Sequence, residues 1–255
     1  MENKILVNID KCIGCKKCVI DCPMSNIIIK DKKAIVLSND CLICGHCQAI
    51  CPKNAIEITG FDEDIEEVDK YILNPEEYLR SIKTRRTIRD FRDDDIDDYI
   101  INQIIESGRY APTARNAQDV SFIILKDKKD EFENIAVLFF RRLIKVAKVF
   151  SVSLRKINID DNFFFKDAPI VILVVSKNKI DGSLASQNMA TMAESYDLGV
   201  LFSGFFTVIS RHSKKIKREL NLNRKEKVVM TLVIGKANVK YLRTTNKEDA
   251  KVLKL

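Results

Sequence analysis

The placement of the cysteines constrains this chain more than any other feature. All eight fall within the first 51 of 255 residues, in two runs of identical spacing, C-x2-C-x2-C-x3-C-P. Cys12, Cys15, Cys18 and Cys22 precede Pro23; Cys41, Cys44, Cys47 and Cys51 precede Pro52. An offset of 29 carries the first run onto the second, and also Val7 onto Val36, Ile27 onto Ile56 and Ile29 onto Ile58, which marks an internal duplication. The opening residues lack the basic and apolar blocks of a secretory leader, so a reducing cytoplasm is expected, where thiols serve metal or redox chemistry rather than disulfides. Three thiolates on one tight loop can cap three irons of an iron–sulfide cube but cannot reach the fourth, so a fourth ligand must come from elsewhere. Zinc, the other reading of C-x2-C pairs, normally takes two pairs per metal with a longer gap. His46, between two of the cysteines, reads as a solvated spacer.

With all eight cysteines in register, the stretch from about Ile5 to Ile58 resembles bacterial-type ferredoxins with two 4Fe-4S clusters. The resemblance implies that the last cysteine of each run serves the other cluster. One cluster then takes Cys12, Cys15, Cys18 and Cys51, the other Cys41, Cys44, Cys47 and Cys22, and the module transfers single electrons at low potential.

Beyond Gly60 the composition changes. Six of the eight residues from Asp62 to Asp69 are acidic, the pattern of a solvated linker. Asn74-Pro75-Glu76-Glu77 reads as a helix start, with Asn as the cap, Pro in the first helical position and carboxylates at the positive end. The expected organisation is a cysteine domain over 1–60, a linker over 61–74 and a second domain over 75–255. In that domain acids at 93–98 precede an apolar helix that stops near Gly108. Strands are expected at Ser121–Leu125, Ala168–Val175 and Val228–Ile234, and a helix over Ser183–Leu198 ending at Gly199. The fold class is α+β.

Several chemistries are excluded. The glycines form neither a dinucleotide-binding fingerprint nor a P-loop, there is no G-x-S-x-G or H-E-x-x-H, and His46 and His212 are the only histidines. His212 reads as a surface residue. The run Ala168–Val175 is too short for a membrane span. Hydrophobic residues make up 46% and charged residues 31%, as in ordinary soluble domains. Two anionic clusters and a phosphate would absorb most of the net charge of +7, so nucleic acid is not expected as a partner.

Thr84-Arg85-Arg86-Thr87-Ile88-Arg89 gathers guanidinium forks and hydroxyls of the kind that grip a phosphate. Together with Ala-Pro-Thr-Ala-Arg-Asn-Ala-Gln at 111–118, Asn188-Met189, Leu198-Gly199 and Val233-Ile-Gly235, in that order, it makes the chain from about Asn74 onward resemble the FMN-dependent nitroreductase family. That resemblance implies that Arg85, Arg86, Thr87 and Arg89 hold FMN, with Thr113, Ala114 and Asn116 along its ribityl chain and ring. It places a backbone N–H within Leu201–Gly204 (Leu201, Ser203, Gly204) against the reactive flavin nitrogen. Arg243 and Lys247 would complete the phosphate site, although family members often carry Arg where Lys247 stands. It also implies a homodimer wrapped by a C-terminal arm, here Lys236–Leu255.

The segment Phe132–Phe165 carries a basic stripe of Arg141, Lys145 and Lys148 on an apolar helix. It reads as a lid over the flavin or, second, as a membrane-surface helix, with Phe139, Phe140, Phe150 and Phe163–Phe165 taken as core. The expected function is a cytoplasmic flavoenzyme that reduces nitroaromatics, quinones or another small electrophile, with electrons passing from its own clusters to FMN and no side-chain nucleophile or general acid. The donor is NAD(P)H or an external ferredoxin. In a variant of this reading NAD(P)H reduces the flavin and electrons leave through the clusters. The alternative from another class is a non-enzymatic electron carrier or redox sensor in which FMN is only a relay.

Overall fold

The computed structural model describes residues 4–38, 40–61, 65–68, 72–150 and 158–255. Residues 62–64, 69–71 and 151–157, and the side chains of 146–150, lie outside that description, and with them part of the acidic linker and the Lys148 and Phe150 side chains. The chain divides into two compact units, Met1–Ile72 with Thr113–Ala117, and Leu73–Pro112 with Gln118–Leu255.

In the first unit the duplication is written into the backbone. Strand β1 (Ile5–Val7), helix α1 (Lys17–Ile20) and strand β2 (Ile27–Lys30) are followed by β3 (Lys33–Val36), α2 (His46–Ala49) and β4 (Ile56–Ile58). The pairing crosses between the halves: β1 runs antiparallel to β4, with Ile5 opposite Ile58, and β2 runs antiparallel to β3, with Ile27 opposite Val36. Asp31 and Lys32, both left-handed, make the two-residue turn of the β2–β3 hairpin, as the twist of such hairpins requires. Cys12, Cys18 and Cys47 are buried with Ile27, Ala34, Ala55 and Ile56 in one small core.

The second unit is built on a four-stranded antiparallel sheet of order β5-β6-β8-β7, comprising β5 (Ser121–Leu125), β6 (Ile170–Ser176), β7 (Leu198–Phe202) and β8 (Lys227–Lys236). Every residue of β6 is buried, which is why its sequence shows a continuous apolar run rather than alternation. Val171, Leu173 and Val175 pack in one cluster with residues of α5 (Lys129–Phe150), α7 (Gly204–His212) and α8 (Lys214–Leu220). Ile170, Ile172 and Val174 pack in another with α4 (Asp98–Arg109) and α6 (Lys179–Ser195). The sheet is thus covered on both faces, and each fully buried aliphatic side chain contributes roughly 1.5–3 kcal/mol.

Helix α3 (Pro75–Thr84) starts where the Asn74 side chain accepts from the Glu76 and Glu77 backbone N–H groups, but it buries none of its own residues. In α4 the Asp97 carboxylate caps the first turn through Tyr99 N–H at 2.7 Å, and Gly108 lies inside the helix rather than beyond it. A Cβ on Gly108 would stand 2.8 Å from Met189 and Phe122, so the close approach of α4 to its neighbours needs glycine there.

Gly199 differs from its sequence reading as a helix end. Helix α6 stops at Ser195, Asp197 takes the left-handed turn with φ 56°, and Gly199 is the second residue of β7. Its lack of a side chain serves packing: a Cβ there would lie 2.5 Å from Ile88. Arg141 also departs from the basic stripe. Its guanidinium donates to the Ile159 carbonyl and to Asp161, tying α5 to the segment beyond it. Both carboxylate oxygens of Glu133 accept backbone N–H groups, from Phe164 and Phe165 at 2.8 Å each, and fasten the same segment. Phe164 and Phe165 are core; Phe139, Phe140 and Phe163 are half-buried against it. Among the described residues no helix is long and apolar enough to cross a membrane.

Candidate functional site

The two cysteine runs fold into loops of matching shape. Left-handed torsions fall at Gly14 and Lys16 in the first loop and, 29 residues on, at Ile43 and Gly45 in the second. Each loop runs into one short helix whose backbone bonds repeat, Ile20 N–H to Lys16 carbonyl at 3.1 Å and Ala49 N–H to Gly45 carbonyl at 2.9 Å. After each run the next turn returns a donor to the last sulfur: Asn26 N–H to Cys22 Sγ and Ala55 N–H to Cys51 Sγ, both 3.3 Å.

These loops leave two hollows. One is lined by Cys12, Cys15, Cys18 and Cys51, the other by Cys22, Cys41, Cys44 and Cys47, so each holds three sulfurs from one run and one from the other. All eight thiols are free of disulfides. Burial pushes the Cys47 thiol up to about 11, with Cys41 and Cys44 adding to the rise and the Gln48 N–H opposing it. Burial likewise raises Cys18, reinforced by Cys15, Cys12 and Cys51. Such a site disfavours four bare thiolates and suits thiolates that share a metal's positive charge. N–H···S bonds to Cys12, Cys22, Cys41 and Cys51 stabilise charge on the sulfurs once iron is bound. The cysteine quartets therefore fit iron–sulfur clusters.

In the second unit the end of α3 presents Arg85 and Arg86. Arg86 Nη1 donates to the Lys83 carbonyl at 2.9 Å and to the Arg85 carbonyl, while its Nε and Nη2 are buried without a hydrogen-bond partner. Arg85 Nη1 is also buried without one; it stands 3.8 Å from Glu194 Oε1, and its guanidinium lies over the Phe202 ring at 5.6 Å. Burial raises the Glu194 pKa and Arg85 lowers it. Just beyond, Thr87 bridges Val200 and Ile88 N–H donates to the Val200 carbonyl at 3.2 Å, which fixes the arginines against β7. Buried guanidinium donors left unpaired are costly unless an anion meets them, and a phosphate group matches their fork geometry. The site fits the phosphate end of FMN.

Strand β7 leads through Ser203 into α7. Ser203 N–H is spent on the Thr231 carbonyl at 2.9 Å, no side chain caps the helix, and a Cβ on Gly204 would meet nothing within 4 Å. The first turn of α7 therefore offers backbone donors and a positive helix end to a ligand. Leu201 is half-buried on β7. Arg89 is exposed, as are Arg243 and Lys247. Arg243 lines a groove against Leu79, Lys83 and Thr84 of α3. Thr113, Ala114 and Asn116 belong to the first unit, on a short 3-10 turn where Arg115 and Asn116 take left-handed torsions. The Asn116 amide donates to the Leu42 and Ile43 carbonyls at 3.0 and 2.8 Å.

The model of the nitroreductase family matches residues 82–236. The chain belongs to the nitroreductase family. Ahead of that match, the model of a 4Fe-4S dicluster domain covers residues 11–69. A Methanothermobacter thermautotrophicus protein provisionally named an NADH dehydrogenase/NAD(P)H nitroreductase is 28% identical over 142 residues, 52% of this chain and 63% of its own length. One component of the ion-translocating oxidoreductase complex of Methanosarcina acetivorans is 47% identical over 47 residues, 18% of each protein. This nitroreductase-family chain thus spans less than two thirds of either relative. Among solved structures, an FMN-dependent nitroreductase from Clostridium difficile superposes with a TM-score of 0.56 at 19% identity, covering 69% of this chain and 98% of that one. A Bacteroides fragilis nitroreductase with bound FMN superposes at 0.54 and 20% identity, covering 70% and 98%. At these identities the structures attest the fold.

Two side chains beside Arg85 of this family member escape a reading of the sequence. Phe202 lies beneath Arg85, and Glu194 faces it from the end of α6. A lone acid at the end of the Met- and Ala-rich helix is the visible signal for Glu194; nothing in the local pattern marks Phe202.

Proposed function

We propose that this chain is an FMN-dependent oxidoreductase of the nitroreductase family that reduces small electrophiles such as nitroaromatics and quinones, with electrons fed through two 4Fe-4S clusters. The observation that carries it is the buried, unpartnered donor set of Arg85 and Arg86 in a chain that also holds two cysteine quartets. Arg85, Arg86, Thr87 and Arg89, joined by Arg243 and Lys247, hold the phosphate; Thr113, Ala114 and Asn116 serve the ribityl chain and ring; Leu201, Ser203 and Gly204 bring the backbone to the ring. Cys12, Cys15, Cys18 and Cys51 hold one cluster, and Cys41, Cys44, Cys47 and Cys22 the other. Bound FMN supplies chemistry that takes electrons singly and yields them in pairs, which links one-electron clusters to a two-electron substrate. The Gly204 N–H stabilises negative charge at the ring without a side chain. A homodimer is part of this reading, supported by the exposed Leu79 and Ile82 of α3 and Leu242, Val252 and Leu253 of the tail, which a second copy would cover.

One observation favours a second reading. Phe205, next to Gly204, meets Phe140 at 5.5 Å and Phe163 at 6.2 Å between ring centroids. Rings standing over the flavin would close it to substrate and leave it a relay, although Phe205 is itself 57% exposed.

Anaerobic titration of the cluster-loaded, flavin-bound protein separates these. Reduced ferredoxin is expected to bleach the flavin, NADH and NADPH to leave it oxidised, and a nitroaromatic to restore its absorbance. Fast bleaching by a nucleotide would make the enzyme nicotinamide-fed. Reduction by ferredoxin with no reoxidation by any small electrophile would favour the relay.

A further inference from the structure

The two cysteine hollows have different rims. Lys16, Lys17 and Lys53 line the hollow of Cys12, Cys15, Cys18 and Cys51. The other hollow is rimmed by Ile5, Pro23, Asn26, Ile27, Gly45, His46 and Ile58, with no lysine or arginine. All three lysines are exposed, as is Cys15 itself. Lys33 adds charge from the adjoining hairpin, its Nζ donating to the Ile9 and Cys12 carbonyls at 2.6 and 2.7 Å. From Lys4 to Val36 there are seven lysines against Asp10, Asp21 and Asp31, and Asp21 lies 3.5 Å from His46.

Lys16 stands where the duplicate loop carries no side chain. It holds a left-handed torsion, φ 66°, at the position that Gly45 occupies in the duplicate loop. A lysine there costs roughly 1 kcal/mol that glycine would not, a cost that Ile43 carries in turn at the place of Gly14, so it is the charge of Lys16 and not its strain that sets this loop apart. Beside these charges Ile13 is exposed, an apolar point within a basic rim. That arrangement is the anatomy of a transient electron-transfer interface, where opposite charge steers encounter and a small apolar centre makes contact.

We propose that this face of the first unit docks an acidic one-electron carrier protein, with Lys16, Lys17 and Lys53 as its steering charges and the Cys12/Cys15/Cys18/Cys51 quartet as the port of entry. The proposal rests on the cluster-fed reading above. One electron leaves the reduced carrier, which is oxidised, and enters the iron–sulfur group of that quartet, which is reduced; no bond or proton changes place.

The test uses the full holoprotein and reduced flavodoxin, an acidic carrier whose oxidation has its own long-wavelength absorbance, mixed anaerobically in a stopped-flow cell. The second-order rate should fall at least about tenfold as salt rises from low to high ionic strength. Lys16→Glu/Lys17→Glu/Lys53→Glu should lower the low-salt rate by about 10–100-fold. Reduction of the same variant by the methyl viologen radical cation should be no slower than in the parent, with iron content and cluster EPR signals retained. If flavodoxin reduces parent and variant at equal, salt-independent rates, the docking face is overturned while the cluster-fed reading stands. If viologen elicits no cluster signal from the parent, the cluster-fed reading fails first, and this proposal with it.

Discussion

A Cβ placed on Gly14 would lie 2.3 Å from the carbonyl oxygen of Lys32. Gly14 also has φ +67°, so both space and torsion demand glycine where the first cysteine loop passes the β2–β3 turn. Gly45, in the second loop, has φ +77° but open space around it. Gly14→Ala should therefore break its loop and lose iron, whereas Gly45→Ala should cost only about 1–2 kcal/mol of torsional strain and keep both clusters. Iron and sulfide content of the two purified variants decides this; equal loss in both would remove the steric argument.

Arg85→Ala and Arg86→Ala should each weaken FMN binding by about 10–100-fold, the worth of a hydrogen bond from a charged donor. Riboflavin, which lacks the phosphate, should bind parent and variants alike. Flavin fluorescence titrations report both; a parallel loss of riboflavin would mean that the arginines shape β7 rather than meet the phosphate.

Cys51→Ala removes a sulfur from the hollow lined by Cys12, Cys15 and Cys18, not from that of its own run. The expected outcome is about four irons per chain instead of about eight, with the surviving EPR signal that of the cluster on Cys41, Cys44 and Cys47. Cys22→Ala should spare the opposite cluster. Spectra showing that each substitution damages the cluster of its own run would refute the crossed assignment.

Glu133 gives a pH dependence whose sign follows from its burial. Burial lifts its pKa from 4.5 to about 7, against the Phe164 and Phe165 N–H groups and Lys166, with Asp167 adding to the rise. A carboxyl that binds its proton more tightly when folded stabilises fully below the unfolded value and loses that contribution as pH rises through about 7. The contribution is at most about 3 kcal/mol. Urea unfolding between about pH 5 and pH 8 should show parent stability falling with pH relative to Glu133→Gln. The variant itself should be about 1–3 kcal/mol weaker at pH 5, because its amide turns a donor toward one backbone N–H. A parent that gains on the variant as pH rises would contradict this.

The parts of this molecule legible in its sequence are those set by local rules. Spacing alone exposes the duplication; Asn74-Pro75 marks the start of α3; β5 runs from Ser121 to Leu125, as its composition and borders imply. Gly199 misleads because a glycine after a helix and one that admits Ile88 look alike until the tertiary neighbour is known. The arginine pair is visible as chemistry, but its unpaired donors are not, since they depend on Glu194 and Phe202, which lie more than a hundred residues away in sequence. The two hollows are legible as cysteine sets, yet their unequal rims follow from side chains that no ligand spacing records.

The crossed pairing of the first unit also sets an order of assembly. Strand β1 waits for β4, and the quartet that begins with Cys12, Cys15 and Cys18 is completed only by Cys51, after Cys47 has completed the other. The half that is begun first is thus the half that is finished last, and both sets of sulfurs are in the chain once Cys51 is. Every sulfur of the two quartets therefore precedes, in order of synthesis, every residue proposed to hold the flavin.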